Sequence, residues 1–333
     1  MNTDFIIEKN VRDNPKLRQS FNRLALQTWG FDFEDWYQNG YWGTRYIPYA
    51  MVCQGQVVAN VSVNLMTFAG PDGIHRYIQL GTVMTSPEYR LRGLSRRLME
   101  EIDRDYEGKA EGFYLFANDS VLDFYPRFGY RAVKETGYSM ALPAGTAEAG
   151  GGAAHNNAGN RSMQEPFSTG IGSAQTRASS RIGSFALQRP CARRVSVKTP
   201  GERMALEQAI ARSAVCGRFD MRENPGLILF YVTKFMQENV YVIPSLDAYV
   251  IAEAEDDTLL LHGIFAPSPV DPALAAAAFG RGFRRLQLGF TPADPSGYTG
   301  SAVQEEDTTL FIRGAWLEGF EGEAKRFPTL SHA

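Results

Sequence analysis

The 333-residue chain is poor in cysteine: it has Cys53, Cys191 and Cys216, and none of them stands in a C-x-x-C spacing. That excludes a disulfide framework and a cysteine-built zinc centre, and it suits a reducing, cytoplasmic setting. Histidine is scarce too. His75, His155, His262 and His332 are scattered, so no metal is expected. Long hydrophobic runs are missing, with nothing near the roughly 18 apolar residues of a membrane span. The opening MNTDFIIEKNVRDNPKLRQ is polar and mixed in charge where a secretion signal would be apolar, so no membrane partner is expected. An excess of one charge is also lacking. Lys+Arg 34 against Asp+Glu 37 gives −3, which offers no global attraction for nucleic acid. There is no Walker A ending and no GxGxxG after a strand; Gly280-x-Gly282 is only a fragment of one.

What is present is an ordinary globular composition, 44% hydrophobic and 21% charged, at a length that favours two domains. Residues 143–190 are rich in Gly, Ala, Ser and Asn, and such a segment buries too little to offset its ordering entropy. It reads as a flexible linker between a first half, 1–142, and a second, 191–333. The first half reads α-α-β-β-β-α-β-α-β. Leu17, Phe21, Leu24 and Leu26 make a helical stripe closed by Gly30. In QVVANVSVNLMTFAG, Val57, Ala59, Val61, Val63 and Leu65 alternate with Asn60, Ser62 and Asn64, as in a strand with one apolar face. A helix over about 94–106 carries Leu91, Leu94, Leu98 and Ile102 on one face. DSVLDFYPRFG reads as a short helix bent at Pro126 and ended at Gly129, and YRAVKETGYSMAL as a closing strand pair.

The densest stretch is TSPEYRLRGLSRR, where Arg90, Arg92, Arg96 and Arg97 surround Gly93 between a strand and a helix. Two readings fit it. A helix amino terminus offers free N–H groups and partial positive charge, glycine lets a ligand approach, and arginines add charge for a diphosphate. Alternatively, the arginines are the solvated face of an amphipathic helix. Tyr125 is similarly open. Val121, Phe124, Tyr125 and Phe128 recur at helical spacing, so its ring reads as core when taken alone.

The order of elements and two motifs resolve both. Residues 5–142 resemble the GNAT superfamily of acetyl-CoA-dependent N-acetyltransferases. Arg90-Leu91-Arg92-Gly93-Leu94-Ser95 is similar to that family's [R/Q]-x-x-G-x-[G/A] signature, with Ser95 as a small departure, and ANDSVLDFYPRFGYR is similar to its N-x6-Y-x3-G-[FY] segment. The resemblance implies an α/β mixed-sheet acyl-CoA N-acyltransferase fold, with acetyl-CoA as cosubstrate and no metal. It implies that the backbone of Val83, Met84 and Thr85 pairs with the pantetheine arm. It implies that the turn from Arg90 through Leu91, Arg92, Gly93, Leu94 and Ser95 to Arg96 holds the diphosphate. Asn118 would touch the cofactor, and Tyr125 would be the general acid toward the departing thiolate.

The chemistry stands independently. A thiol of pKa ~8.5 leaves more easily beside a proton donor, and a phenol is one. No carboxylate stands on the strand Tyr77–Thr82, where many relatives keep a base. The candidates are Glu88, Asp119, the group Asp32, Glu34 and Asp35, and water relayed by Gln79 or tyrosines; for Glu88 and Asp119 a capping role is the plainer reading. WGFDFEDWYQNGYW is either an acidic, aromatic acceptor site for a cationic amine or a capped helix with aromatic packing, the plainer reading.

The second half repeats the layout as α-α-β-β-β-α-β-β, so two similar domains in tandem are expected. Its equivalent joint, Phe265–Asp271, carries Pro267 and Pro269, which remove N–H donors, so this half is expected not to bind acetyl-CoA. The expectation overall is an N-acetyltransferase acting on a primary amine of a small molecule or peptide. The alternative is a non-catalytic CoA sensor or partner-binding protein on the same fold.

Overall fold

The computed structural model describes residues 4–143, 191–280 and 282–332. The expected linker falls almost wholly outside the described residues. In chain order the first half runs β1 (Ile6–Glu8), α1 (Pro15–Trp29), α2 (Glu34–Gln38), β2 (Tyr46–Cys53), β3 (Gln56–Gly70), β4 (Gly73–Thr85), α3 (Leu94–Tyr106), β5 (Gly112–Ala117), β6 (Arg131–Val133) and β7 (Thr136–Ala141). The second runs β8 (Arg193–Arg194), α4 (Pro200–Ala211), β9 (Asp220–Arg222), α5 (Pro225–Lys234), β10 (Val240–Ile243), β11 (Ala248–Glu255), β12 (Thr258–Phe265), α6 (Pro272–Ala277), β13 (Arg285–Leu288), β14 (Thr299–Ala302) and β15 (Thr309–Arg313).

Local chemistry sets the helix ends that matter for the site. The Asn14 side chain accepts from the N–H groups of Lys16 and Leu17, and Pro15 needs no partner in the first turn. Gly30, at φ 78°, closes α1 with its N–H on the Leu26 carbonyl; the Leu26 side chain, expected on the apolar stripe, is 53% exposed, because two residues past Leu24 the helix has turned it away from the core face. Helix α3 buries Leu94, Leu98, Met99 and Ile102. Leu91, expected on that stripe, is instead fully exposed at φ 60°, because the helix starts three residues later. The expected helix over DSVLDFYPRFG is two short 3-10 turns, Asp119–Val121 and Tyr125–Phe128, since Pro126 interrupts the hydrogen-bond ladder; Gly129, at φ 79°, closes the second.

The strands form two mixed sheets with the same pattern. One runs β1-β2-β3-β4-β5-β15-β6, with β9 added beside β3; the other runs β8-β10-β11-β12-β13-β7-β14. Each has one parallel pair, β4 with β5 and β12 with β13, among antiparallel neighbours. The sixth strand of each sheet comes from the other half of the chain. β15 lies between β5 and β6, and β7 between β13 and β14. So the expected closing strand pair does not form: β6 and β7 part into different sheets, and β7, which the boundary at 142 assigns to the first half, pairs in the second sheet. The parallel connection β4-α3-β5 leaves β5 with an open edge, and β15 satisfies its N–H and C=O groups over Phe113–Ala117. The exchange is pinned by Arg313. Its guanidinium grips Asp103 of α3 at 2.5 and 2.9 Å and stands over the rings of Phe113 and Tyr130.

Helix α3 packs on one face of the first sheet with Tyr49, Met51, Val61 and Val63, while α1 and Phe230 pack on the other with Ala50, Val52 and Val57. The expected alternation of β3 breaks near its start: Met51 pairs Ala59 while Val52 pairs Val57, so Val58 is the extra residue of a bulge and the faces exchange there. The row expected to be polar and solvated is also buried. Asn60, Ser62 and Asn64 are at most 2% exposed, covered by α1 and by the second half, from which Asn224 donates to the Asn64 side-chain oxygen at 3.3 Å.

Between β6 and β7 the chain crosses from one sheet to the other at Glu135, a buried carboxylate that accepts the Phe327 N–H at 2.7 Å. Burial pushes its pKa up to about 7, the Arg326 charge opposing this in part. The folded pKa is raised, so this group contributes stability that is fully present below the ordinary carboxylate range and lost as pH rises through about 7. Glu135→Gln keeps an acceptor for Phe327 and removes the ionisation. It should match wild type at pH 5 and exceed it by on the order of 1 kcal/mol at pH 8 in denaturant titrations. A variant less stable than wild type at pH 8 would contradict the assignment.

Candidate active site

Strands β4 and β5 pair only over Tyr77–Gln79 and Gly112–Tyr114, then diverge. From Leu80 on, β4 therefore has a free edge facing β5. The divergence is helped by a bulge in β4: Asn60 pairs Met84 and Ser62 pairs Gly81, so Thr82 and Val83 share one partner, and Thr82 takes φ 48°. A buried polar network holds that bulge from below. Tyr46 shares a 2.6 Å hydrogen bond with the Thr82 hydroxyl and accepts one from Ser62 at 2.9 Å; Asn60 donates to Ser62 and to the Thr82 carbonyl at 2.8 and 2.9 Å. Burial pushes the Tyr46 phenol well above its ordinary range, so it keeps its proton within this network.

The fork opens into a cavity of about 600 Å³. Its floor is β4, through Leu80, Gly81, Thr82 and Val83; Phe116 and Asn118 come from β5 and the residue after it; Ser120, Val121, Phe124 and Tyr125 come from the 3-10 segment; Trp29 and Phe31 come from the end of α1. Ser95, in the first turn of α3, closes one side and shares a 3.1 Å hydrogen bond with the Thr85 hydroxyl. The serine at the last signature position thus ties the helix start to the strand.

The arginine-glycine turn stands beside this opening. Leu91 at φ 60° and Gly93 at φ 72° are left-handed, and no side chain caps α3. Its first N–H groups are thus open to an anion. A Cβ at Gly93 would meet nothing within 4 Å, so what glycine supplies is the backbone angle and unobstructed approach. Arg90 donates to the Thr85 carbonyl at 3.3 Å, and Arg92 donates to the Glu88 carbonyl at 3.2 Å and lies over Tyr89; both are exposed, as are Arg96 and Arg97. The Leu94 and Met84 side chains are buried in the core, leaving only their backbones for any ligand contact.

Tyr125 is 4% exposed, packed against Phe124, Tyr130 and Phe311, and lines the cavity, so it is both core and cavity wall. Burial pushes its phenol up to about 12, which keeps the proton on it at neutral pH. None of the candidate carboxylates lines the cavity. Glu88 is exposed beside Ser86, and Asp119 is exposed with its N–H on Asp307. Glu34 is tied to Arg18 and Asn22, Asp32 lies 3.6 Å from Lys234, and Asp35 is exposed. The aromatic stretch around them is packing: Trp36 and Trp42 are buried, and the Trp36 indole donates to the Gly226 carbonyl. Sequence reasoning missed Trp29, Phe31, Phe116 and Phe124 as cavity walls. Their apolar character signalled burial, and only the fork shows that it borders an opening.

The second sheet forks in the same way after Leu261 and Leu288, around a cavity of about 310 Å³ reached by His262, Asp220 and Arg222. It has no counterpart of the arginine turn. Asp271 caps α6 by accepting the Ala273 N–H at 2.8 Å, so a carboxylate already occupies that helix start. Among the described residues no group of three or more His, Cys, Asp or Glu is placed to hold a metal, and no helix is long and apolar enough to cross a membrane.

A parallel-paired fork, a bulge, and an uncapped helix behind an R-x-x-G-x turn coincide with a family model. Residues 17–133 match the acetyltransferase (GNAT) domain. Over that segment the chain is similar to a GNAT domain. No curated protein gives a significant match. Among solved structures, a probable N-acyltransferase from Enterococcus faecalis V583 is 15% identical over 94% of this chain and 72% of its own, with a TM-score of 0.52. A GCN5-related N-acetyltransferase from Anabaena variabilis ATCC 29413 is 12% identical over 93% and 72%, with a TM-score of 0.50. At these identities they show that the GNAT-like fold extends over nearly the whole chain and both sheets, and nothing further.

The polar network under the bulge supports the open fork. Tyr46→Phe leaves the Ser62 and Thr82 hydroxyls without a shared partner and should cost about 1–3 kcal/mol in equilibrium unfolding. An unchanged unfolding midpoint would mean that the network does not hold the bulge.

Proposed function

We propose that the chain moves an acetyl group from acetyl-CoA to a primary amine, with one working site in the first fork. The observation that carries this is the convergence of Val83, Ser95, Asn118 and Tyr125 on one cavity beside the uncapped start of α3. In this reading the free edge of β4 at Val83, Met84 and Thr85 pairs with the pantetheine arm as a strand would. The N–H groups between Leu91 and Arg96 hold the diphosphate, and Arg90, Arg92 and Arg96 add positive charge from outside. Asn118 contacts the cofactor at the end of β5.

The reaction then needs few groups. The neutral amine attacks the thioester carbonyl, a C–N bond forms, the C–S bond breaks, and the thiolate takes the proton of the Tyr125 phenol. A backbone N–H of β4 near Val83 polarises the carbonyl. Placement of the two reactants in one cavity supplies much of the remaining acceleration. With no carboxylate among the lining residues, the amine loses its proton to water. The phenol is held high by burial, so it is regained quickly from solvent at neutral pH and is available for each turnover.

Tyr125→Phe removes the donor and keeps the packing against Phe311. Thiol release from acetyl-CoA should fall about 100-fold in kcat, with the KM for acetyl-CoA nearly unchanged. Wild-type kcat in this variant would remove Tyr125 from the chemistry. The absence of a carboxylate from the cavity favours one second reading, a CoA-binding sensor. Saturable cofactor binding with no thiol release across a panel of amines would select it.

A further inference from the structure

Resting on the acyl-transfer reading above, we infer that the acceptor amine is a monoamine carried on an apolar or aromatic body, and that the site works against polycations. The part of the cavity away from Ser95 is walled by Trp29, Phe31, Phe116, Val121 and Phe124. Its polar lining, Thr82, Asn118, Ser120 and Tyr125 among it, is uncharged, and no lining residue is acidic. The opening continues onto an apolar rim. Trp29 is 39% exposed, and Leu26, on the same face of α1 one turn earlier, is 53% exposed. Across from them Val121 and Leu122 are 39% and 36% exposed, and Phe235, 51% exposed, stands edge-on to Phe31 at 5.2 Å. Scattered exposed apolar residues are ordinary, but here Trp29 and Val121 line the cavity itself, and Leu26, Leu122 and Phe235 each neighbour a lining residue in the helix, in the chain or by ring contact.

Charge points the same way. The acids near α1 are compensated, Glu34 by Arg18 and Asn22 and Asp32 by Lys234, and Asp35 lies outside the cavity. Asp119 and Asp123 do not line the fork; with Arg127, which offers them a nearby positive charge, they line a separate hollow that shares Ser120, Val121 and Phe124 with it. The reacting amine enters neutral. Every further ammonium on the acceptor would lose water and find no counter-ion within, a penalty that grows with each added charge. An alkyl or aryl body instead exchanges its hydration for contact with Trp29, Phe31 and Phe124.

The test is a series of n-alkylamines and arylalkylamines against α,ω-diamines of equal length, read by thiol release at saturating acetyl-CoA, beside calorimetry of CoA with the full chain. The expected result is kcat/KM rising about 3–4-fold per methylene along the monoamines. Each diamine should fall at least 10-fold below its monoamine. Trp29→Ala should lower kcat/KM for the longer monoamines about 10-fold and leave the acetyl-CoA KM in place. Diamines or longer polyamines turning over as fast as monoamines, or a flat monoamine series, would overturn the acceptor inference while leaving acyl transfer standing. CoA binding without turnover of any amine would overturn the acyl-transfer reading itself, and the acceptor inference with it.

Discussion

Past Gln79 the edge of β4 that faced β5 has, among the described residues, no strand beside it, and everything proposed for the site follows from that gap. A parallel pair that ran on would satisfy its own hydrogen bonds and leave no room for a ligand. Here three structural devices keep the strands apart. The bulge at Thr82 and Val83 turns β4, the Tyr46–Ser62–Asn60 network fixes the bulge, and β15 takes the other edge of β5, so β5 is held away without losing its partners. The gap is thus stabilised by hydrogen bonds made elsewhere.

The same device joins the two halves of the chain. The cavity wall at Phe124 and Tyr125 rests on Phe311, a residue of β15, and the far end of α3 is held through Asp103 by Arg313 of the same strand. In return β7 completes the second sheet between β13 and β14. Both sheets show one pattern of six pairings, yet only the first fork has an open helix start beside it. In the second, a proline-bearing joint and the Asp271 cap occupy the corresponding place. The second half therefore serves the first through structure: it supplies β15, covers the polar row of β3 through Asn224, and lends Phe230 to the packing around α1.

Much of this was legible in the sequence because it is local. The bounds of α3, its glycine start, the strand before it and the sequence of the main helices and long strands all follow from periodicity and punctuation over ten or twenty residues, whereas the short edge strands β1 and β9 carry too few residues to show a period. What escaped was non-local. YRAVKETGYSMAL has the spacing of a strand pair, and nothing in it reveals that β15, nearly two hundred residues later, separates its strands. Asn60, Ser62 and Asn64 have the period of a solvated face and are buried, because polarity reports hydrogen bonding and only the partner segments decide burial. Val58 moved residues between faces through a bulge that alternation cannot announce. Around the cavity, Ser95, Asn118 and Tyr125 could be singled out from sequence motifs, whereas Trp29 and Phe31 could not, since a cavity wall and a core residue have the same composition.

The account rests on a diphosphate held by the backbone N–H groups that open α3. Calorimetry of CoA against wild type and Gly93→Asp addresses this directly, since an aspartate there puts negative charge at the helix start and also works against the left-handed φ of 72° that glycine supplies to the turn. The account predicts saturable heat with wild type and affinity lowered at least 10-fold in the variant, with a folded variant confirmed by an unfolding curve. No heat with wild type, or equal affinity in the two proteins, would contradict it.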